Sequence, residues 1–456
     1  MMRLSEAALA LGSQWWASDA QLTGVCTDSR KVAKGDLFVA LHGERFDGHE
    51  FVPEVLTKGA AGALVDGDWE CVNGPGPYIV VKDTRLALGE LAAYWRAKFA
   101  IPLVAITGSN GKTTVKEMLA SILRAASGPD AVLATEGNLN NDIGMPLTLL
   151  KLRESNRYAV IEMGMNHPGE IATLTRIAKP TVALVNNAGA AHLQGLGSVE
   201  AVARAKGEIF AGLVEDGVAV INADDVHVPL WRQLAAPRRI MTFGLEQAAD
   251  VSADTVLEPG GSRLQLKTPA GGAEVRLSVP GLHNVRNALA AATAALAMQV
   301  PLMTVVAGLA AFGGVKGRLQ RKAGCCGCTV IDDTYNANPA SMRAAIGVLA
   351  AMPGARIFVM GDMGELGDNA AGLHREIGAE AKAAGIDQLY AFGEMSREAV
   401  AAFGSGARHF DSVDALSETL CGELAAGTTV LVKGSRFMRM ERVVERLTQG
   451  ESATCC

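Results

Sequence analysis

The residues best suited to chemistry lie in a glycine-containing loop, where residues 101–114 read IPLVAITGSNGKTT. The apolar run from Ile101 to Ile106 predicts a buried strand, and the stretch from Thr113 to Ala125 has the composition of a helix. In such a loop the backbone N–H groups point toward a phosphate, Lys112 adds a positive charge, and the Thr113 hydroxyl can bind Mg²⁺. The pattern therefore predicts a nucleoside triphosphate site made by Gly108, Ser109, Asn110, Gly111, Lys112, Thr113 and Thr114.

This loop departs from the usual phosphate-binding pattern at one position. A glycine is expected five residues before the Gly-Lys pair, where this chain has Ile106. The glycine stands at Gly108 instead, which makes the loop a shorter variant. Because an ordinary turn can have a similar sequence, the prediction depends on what the rest of the chain places beside the loop.

Two residues that follow predicted strands could bind a metal ion. Glu162 lies at the end of the strand YAVIEM, residues 158–163. A carboxylate there, beside a phosphate loop, can bind Mg²⁺ directly or through water, although it could equally cap a loop or pair with an arginine. His192 lies in the loop NNAGAAHLQG, which follows another apolar strand. It is either a metal or phosphate ligand or a surface residue.

Four other polar positions have both a functional and a structural interpretation. Lys206 lies on a predicted helix, where a lysine is usually a solvated charge. The sequence NADD at 222–225 could face a nucleotide or form an aspartate-rich turn. Asn284 could cap the alanine-rich helix around it or read the edge of a base. Arg318 lies where one region gives way to the next, and it could reach a phosphate or be a plain linker charge.

The order of predicted elements indicates an α/β protein of three domains. Residues 1–98 contain short strands and glycine turns, as expected for a small α/β domain. Residues 99–317 begin with the phosphate loop and alternate strands with helices, which favours a parallel sheet covered by helices on both faces. Residues 318–456 repeat that alternation and predict a smaller doubly wound, Rossmann-like domain. Strands are predicted at Tyr158–Met163, Thr181–Asn186, Gly217–Asn222, Thr329–Asp332, Arg356–Met360, Gln388–Phe392 and Thr429–Val432.

Composition excludes several classes of protein. The 456 residues carry a formal net charge of −6, so no basic field would attract nucleic acid. The opening residues MMRLSEAALALG predict an amphipathic helix ended by glycine and not a secretory signal. Residues 287–315 carry no charge, but they are rich in Ala and Gly and broken by Pro301, so two packed helices are favoured over a membrane span. We expect a cytoplasmic protein, and nothing demands more than a monomer.

The eight cysteines are expected to be reduced, because nothing in the sequence indicates secretion. Cys325, Cys326 and Cys328 form a cluster, and Cys455 and Cys456 end the chain. Their spacing fits no usual four-ligand zinc pattern, and the first cluster runs into an apolar strand. Core or surface thiols are therefore favoured over a zinc site.

Taken together and in this order, the motifs resemble the Mur ligase family, the ATP-dependent amide-forming enzymes of peptidoglycan synthesis. The resemblance covers nearly the whole chain and is carried by TGSNGKTT, the strand with Glu162, AHLQG, AKGEI, NADD, HNVRNA and GRLQ. Further motifs are similar to those of the member that joins D-alanyl-D-alanine to UDP-N-acetylmuramoyl-tripeptide. They are TDSR at 27–30, RFDGH at 45–49, GNLNNDIG at 137–144, DDTYNANP at 332–339, GDMGELG at 361–367 and VKGSR at 432–436.

The resemblance implies a synthesis in two steps. A carboxylate of the nucleotide-linked peptide attacks the γ-phosphate of ATP, and the amine of D-alanyl-D-alanine then attacks the resulting acyl phosphate. UDP-N-acetylmuramoyl-pentapeptide, ADP and phosphate are the implied products. Lys112 and a Mg²⁺ ion on Thr113 and Glu162 would neutralise the reacting anions. His192 would bind a second Mg²⁺, and Lys206 would be carbamylated so that it too could bind the metal.

The resemblance also assigns binding residues. Asn284 would contact adenine, Asp333 the ribose and Arg318 the phosphates, so that the ATP site would be complete only when the last domain closes. The residues implied for the dipeptide or the acceptor peptide are Asn336, Asn338, Lys433, Ser435 and Arg436. Those implied for the uridine diphosphate end, unless they only form turns, are Ser29, Arg30, Asp47, Gly48 and His49. Asn138 and Asn141 are implied to lie where the sugar-peptide passes.

The sequence leaves two alternative functions open. The related ligase that adds the third amino acid to UDP-N-acetylmuramoyl-dipeptide would be expected to carry a DNPR motif in its last domain, and the sequence has none. A non-catalytic, nucleotide-dependent switch would be expected to carry a base-reading NKxD motif, which is also missing. Folylpolyglutamate synthase shares the ATP domain, but residues 1–98 do not match its pattern. The third residue of the acceptor peptide, diaminopimelate or lysine, stays open.

Overall fold

The first domain is built on a four-stranded parallel sheet. The computed structural model describes residues 1–13, 19–43, 46–67, 69, 77–190, 193–258 and 260–448. The sheet has the order β1-β2-β3-β4. Its strands are β1 (Gly24–Cys26), β2 (Asp36–Val39), β3 (Gly62–Asp66) and β4 (Tyr78–Val81), and its helices are α1 (Leu4–Ala10), α2 (Val52–Thr57) and α3 (Thr84–Ala97).

Helix α3 joins the first domain to the second. It begins at Asp83, whose carboxylate accepts hydrogen bonds from the backbone N–H groups of Arg85 and Leu86. Its apolar face packs both on the first sheet and on the second domain, within one continuous hydrophobic cluster that extends from Met2 to Ala235. The first two domains therefore share a core.

The second domain contains a six-stranded, wholly parallel sheet. Its strands are β5 (Leu103–Thr107), β6 (Val132–Ala134), β7 (Tyr158–Glu162), β8 (Val182–Val185), β9 (Val218–Asn222) and β10 (Arg239–Phe243). Its helices are α4 (Lys112–Ser127), α5 (Gly144–Leu149), α6 (Glu170–Ala178), α7 (Leu193–Leu196), α8 (Val199–Gly207), α9 (Val228–Ala235), α10 (Leu282–Ala297) and α11 (Leu302–Ala310). The strand order is β10-β9-β8-β5-β7-β6.

Both faces of this sheet are buried, which explains its unbroken apolar strands. Along β5, Leu103 and Ala105 pack into the core shared with the first domain, whereas Val104 and Ile106 pack on the opposite face. That second core also holds an antiparallel sheet that the sequence analysis did not predict. Its strands are β11 (Ser252–Glu258), β12 (Gly261–Thr268) and β13 (Gly271–Leu277).

The third domain is doubly wound, as predicted. Its sheet has the order β14-β15-β19-β16-β17-β18, and the edge strand β14 is antiparallel to the rest. Its strands are β14 (Gln320–Ala323), β15 (Thr329–Asp333), β16 (Arg356–Gly361), β17 (Gln388–Phe392), β18 (Ala407–Phe410) and β19 (Thr429–Lys433). Its helices are α12 (Pro339–Ala350), α13 (Ala370–Ala383), α14 (Ser396–Phe403), α15 (Val413–Glu423) and α16 (Glu441–Thr448). One hydrophobic core lies on each face of the sheet.

The remaining sequence expectations have clear outcomes. Every predicted strand is present, with ends that differ by two residues at most. The uncharged stretch forms α10 and α11, separated at Pro301, and no helix among the described residues is long and apolar enough to cross a bilayer. Cys328 is buried, and burial raises the pKa of its thiol to about 12. Cys455 and Cys456 lie outside the described residues.

Candidate active site

The carboxyl ends of the central and C-terminal sheets face each other across a cavity of about 1160 Å³. On the central side, β5 pairs with β7 on one edge and with β8 on the other. The cavity opens at this point, where the connections leaving neighbouring strands run to opposite sides of the sheet. Ligands bind at such positions in open α/β sheets. On the C-terminal side, the loops that follow β15, β16 and β19 contribute the wall.

The phosphate loop connects β5 to the amino end of α4. Gly111 caps that helix with a left-handed φ of +81°. A Cβ atom there would lie 2.3 Å from Asn287 Oδ1 and 2.6 Å from Asn186 Nδ2, so the close approach also requires glycine. The loop thus presents its N–H groups and the amino end of a 16-residue helix, both of which favour an anion.

Asn187 holds the loop in this shape, and the sequence analysis missed it. The N–H group of Asn110 donates to Asn187 Oδ1 at 2.9 Å, and Asn187 Nδ2 donates to the carbonyl oxygen of Asn110 at 3.1 Å. The N–H group of Ser109 donates to the carbonyl oxygen of Asn187 at 3.1 Å. The available signal was two adjacent amide residues directly after a buried strand, at 186–187.

Thr113 and Glu162 form a pair of oxygen ligands beside the loop. Thr113 Oγ1 donates to Glu162 Oε2 at 2.8 Å, and Asn140 Nδ2 donates to Glu162 Oε1 at 2.8 Å. Lys112 Nζ donates to the carbonyl oxygen of Gly108 at 2.7 Å. Hydroxyl and carboxylate oxygens are the ligands that Mg²⁺ prefers, so the residues fit this ion. Asn138 and Asn141, predicted for the sugar-peptide, line the same cavity, as does Asn140, which was missed.

Lys206 is buried, so the interpretation as a solvated charge is wrong. Its side chain is 1% exposed on α8, and no carboxylate of the described residues lies within ion-pair distance of it. Burial, together with the nearby charge of Lys112, holds the pKa of Lys206 well below its ordinary value. Its position, four residues after the buried Val202 and three before the buried Ile209, was the missed signal. His192, the other predicted metal ligand, lies outside the described residues.

Two side chains from the C-terminal domain reach the phosphate loop. Arg318 Nη2 donates to Thr113 Oγ1 at 2.9 Å, and its guanidinium lies over the Tyr335 ring at 4.2 Å. Asn338 Nδ2 donates to Asn110 Oδ1 at 2.8 Å, while its Oδ1 accepts from the N–H group of Ser341 and caps α12. Arg318 is therefore no plain linker charge.

Asp333 and Lys433 form a buried ion pair on the same wall. Lys433 Nζ lies 2.6 Å from Asp333 Oδ2 and donates to the carbonyl oxygen of Asn336 at 2.9 Å. The N–H group of Leu319 donates to Asp333 Oδ1 at 3.1 Å. Burial raises the pKa of Asp333, and the Lys433 charge opposes that rise. Ser435 and Arg436 also line the cavity, beside Phe437.

The first turn of α10 supplies a further part of the cavity wall. Asn284 is not the cap of this helix, which begins after Gly281. Its Nδ2 donates to the carbonyl oxygen of Pro280 at 2.8 Å. His283, which the sequence analysis did not single out as a candidate site residue, lines the cavity too. Burial, with the charges of Lys433 and Arg286, lowers the pKa of His283 to about 4, so the ring is neutral at pH 7.

The NADD segment at 222–225 both faces the cavity and forms a structural turn. Asn222 lines the cavity, and its Nδ2 donates to the carbonyl oxygen of Asn186 at 2.9 Å. The two aspartates accept hydrogen bonds from backbone N–H groups of neighbouring loops, including that of Ala188 to Asp225 at 2.9 Å. The aspartates are therefore part of a structural turn.

The residues predicted for the UDP end lie in the first domain, and none of them lines this cavity. The side chain of Arg30 is 85% exposed and pairs with Asp28, which lowers the pKa of that carboxyl to about 2. The carbonyl oxygen of Ser29 accepts from Lys58 at 3.1 Å. His49 is buried, and its Nδ1 donates to Asp47 Oδ1 at 2.7 Å, with Gly48 between them. A role in binding UDP stays a prediction for all five.

Family comparisons agree with this architecture. The model described as "Mur ligase family, catalytic domain" matches residues 21–96. The "Mur ligase middle domain" matches residues 106–295, and the "Mur ligase, glutamate ligase domain" matches residues 317–436.

Individual proteins match over nearly the full length. The UDP-N-acetylmuramoyl-tripeptide–D-alanyl-D-alanine ligase of Escherichia coli K12 is 44% identical over 99% of both chains. The crystal structure of MurF from Acinetobacter baumannii superposes with a TM-score of 0.90 at 38% identity, covering 98% of this chain and 99% of that one. The MurF ligase of Thermotoga maritima, solved in complex with ADP, gives a TM-score of 0.83 at 30% identity and covers 93% and 97%. Matched in all three of its domains, this chain belongs to the Mur ligase family.

Proposed function

We propose that this chain is the ATP-dependent ligase that joins D-alanyl-D-alanine to UDP-N-acetylmuramoyl-tripeptide, giving UDP-N-acetylmuramoyl-pentapeptide, ADP and phosphate. The observation that carries the proposal is the convergence of Lys112, Thr113, Glu162, Arg318 and Asp333 around one cavity. The full-length similarity to ligases of that activity supports it. The reaction belongs to the cytoplasm, where ATP is supplied, and a monomer contains every residue that it needs.

In the first step a carboxylate of the tripeptide attacks the γ-phosphate, although both groups are anions. The N–H groups of the phosphate loop, the Lys112 ammonium and the Arg318 guanidinium neutralise the phosphates and hold them in line with the acid. Asn284 would contact the adenine base, and the neutral His283, which lines the cavity beside it, would lie near that base. Asp333 would hold the ribose. Its carboxylate would then accept hydrogen bonds from both the ribose and Lys433.

Thr113 and Glu162 would hold one Mg²⁺ ion. His192 and the carbamylated Lys206 would hold a second. When bound, the ions supply positive charge to the β- and γ-phosphates. The neutral amine is the form of a lysine that reacts with CO₂, and the desolvated Lys206 favours that form. The carbamate would then give this buried side chain the negative charge that attracts a cation.

In the second step the dipeptide amine attacks the acyl phosphate. Lys433, Ser435 and Arg436 would bind a carboxylate of the peptide substrates, and Arg436 is suited to this by its bidentate fork. Asn336 and Asn338 lie on the same wall. In the first domain, Ser29, Arg30, Asp47, Gly48 and His49 would bind the UDP end, and Asn138 and Asn141 the sugar-peptide.

The test is the stoichiometry of phosphate release by the purified protein. Phosphate should appear only when ATP, D-alanyl-D-alanine and the UDP-linked tripeptide are all present, and the tripeptide should be supplied with either diaminopimelate or lysine. Release that is indifferent to the dipeptide contradicts the proposal. Release with the UDP-dipeptide and a single amino acid would identify the ligase of the third residue, and ATP binding without turnover would identify a switch.

A variant of the phosphate loop ties that activity to the cavity. Lys112→Met should lower kcat/KM by about 10³-fold, because a preorganised charge on the transferring phosphate is lost. Lys151→Met is the matched control, since Lys151 is half exposed and pairs with Glu136 outside the cavity. Equal activities of the two variants would contradict the assignment.

A further inference from the structure

Two loops of the C-terminal domain form a small, charged part of the cavity wall. They follow β16 and β19, which pair directly, with Met360 opposite Lys433. The N–H group of Gly364 donates to Ser435 Oγ at 2.8 Å and ties the loops together. The next residue in each loop, Glu365 and Arg436, lines the cavity. Two joined loops thus bring a carboxylate and a guanidinium to the same cavity wall, where Arg436 Nη1 lies 3.2 Å from Glu441 Oε1.

The backbone of Glu365 is held in an unfavourable conformation. Its φ is +61°, a left-handed value that costs a residue with a side chain about 1–2 kcal/mol. The surroundings fix the loop on both sides, since the N–H group of Met363 donates to His374 Nε2 at 2.9 Å and Leu366 is buried. Such strain is maintained mostly at functional sites, and here it brings an exposed carboxylate to the cavity wall.

The charge of Glu365 acts on the reaction centre. Burial lowers the pKa of Lys112, and the carboxylates of Glu162 and, more weakly, Glu365 oppose that shift, so Glu365 lies near enough to Lys112 to act on its charge. Among the described residues, two carboxylates line the cavity from the C-terminal domain: the buried Asp333, which is paired with Lys433, and the exposed Glu365. A free dipeptide is a zwitterion, and its ammonium must lose a proton before the nitrogen can attack.

On the basis of the proposed function, we propose that Glu365 is a catalytic residue that binds the dipeptide ammonium and accepts one of its protons, so that the neutral amine can attack. The nitrogen–carbon bond forms while the bond from the acyl carbon to the phosphate oxygen breaks. Phosphate leaves with the bonding pair. The nitrogen loses two protons in all: one passes to the Glu365 carboxylate before the attack, and the other passes to the leaving phosphate. Arg436 has the right sign for the other end of the same zwitterion.

The experiment separates the two chemical steps in Glu365→Gln. The first step is followed without dipeptide, as positional isotope exchange in ATP labelled with ¹⁸O at the β–γ bridge, in the presence of the UDP-linked tripeptide. The second is followed as pentapeptide formation. We expect exchange within about twofold of the wild type and pentapeptide formation reduced by about 10²-fold or more, the usual contribution of a general base. The KM for the dipeptide should rise, while the KM for ATP stays unchanged.

The pH profile and two further variants complete the test. The residual rate of Glu365→Gln should rise with pH up to about 8, where the α-amino group loses its proton unaided. Glu365→Asp should recover part of the rate, and the exposed Glu418→Gln on α15 should behave as the wild type. Full synthesis by Glu365→Gln, or equal loss of exchange and synthesis, overturns the assignment. A wild type that makes no pentapeptide overturns the function itself, and the assignment with it.

Discussion

The two edges of the cavity are built in different ways. On the central edge, the groups that would meet the triphosphate are held by their own domain, as Asn187 holds Asn110 and as Asn140 and Thr113 hold Glu162. On the C-terminal edge, Arg318 and Asn338 act by reaching across to that loop. The central edge is therefore preassembled, whereas the contribution of the other edge depends on how the domains sit. Changes to the groups that hold the central edge should weaken ATP binding by itself. Changes to the contact that Asn338 makes across the cavity should mainly slow the steps that need both domains together.

Of the four changes that compare the two edges, the one at Lys206 should have the largest effect, and it should lower activity without lowering stability. Lys206→Met removes an amine that is costly to bury, so the melting temperature should stay equal or rise. The variant cannot form a carbamate, so kcat should fall by about 10²-fold or more. In ¹³C-bicarbonate, the wild type should show a carbamyl carbon by NMR that the variant lacks. The exposed Lys267→Met serves as control, and a fully active Lys206→Met would break the comparison at its central edge.

Asn187→Asp should produce the next largest effect. The change keeps the size of the side chain, removes the donor to the Asn110 carbonyl oxygen and adds a negative charge beside the phosphate loop. We expect the Kd for a non-hydrolysable ATP analogue, measured without peptide substrates, to rise at least tenfold, or about 1.4 kcal/mol. Asn369→Asp, on the exposed surface of the other domain, should leave it unchanged. If only the complete reaction suffered, the central edge would not be preassembled.

Asn338→Ser tests the opposite edge with a smaller expected effect. Serine is a good helix cap, so the start of α12 is preserved while the donor to Asn110 is lost. Binding of the ATP analogue should stay within about twofold, and kcat should fall by about threefold to tenfold. Asn338→Ala, which also removes the cap, should cost about 1 kcal/mol more in stability. Weaker binding of the ATP analogue by Asn338→Ser would contradict the distinction between a preassembled central edge and a C-terminal edge that acts after nucleotide binding.

His283 should produce the smallest effect on stability, and it should be seen in the pH dependence of unfolding. Its pKa is lowered to about 4 in the fold, so below about pH 6.5 the unfolded chain binds a proton before the folded one does. Stability supplied by the neutral ring is thus complete above about pH 6.5 and is lost as the pH falls toward 4. Between about pH 7.5 and about pH 5, the wild type should lose up to about 2 kcal/mol more than His283→Gln. Parallel thermal unfolding profiles would contradict this.

The sequence predicted those strands, helices and loops whose residue pattern is visible within a short stretch of the chain. Apolar strands such as β5 and β7 are buried on both faces, and the glycine loop with Lys112 has a short-range signature, so both were found. The antiparallel sheet β11–β13 was missed, although β12 buries Leu264 and Leu266 at alternate positions, because β11 and β13 are mostly exposed and have only a weak apolar pattern. Other features depend on contacts between segments that lie far apart in the sequence. They are the burial of Lys206, the hydrogen bonds between Asn187 and Asn110, and the positions of His283 and Glu365 at the cavity. Single-sequence patterns do not encode such contacts.

The hydrophobic cluster that extends from Met2 to Ala235 has a consequence for how the polypeptide can be divided. A fragment cut near residue 98 would expose the apolar face of α3, including Leu88 and Leu91, and would be expected to aggregate. A cut near residue 317 severs no shared core, because the clusters of the last domain contain only its own residues. Genetic dissection should therefore yield two well-behaved fragments and not three.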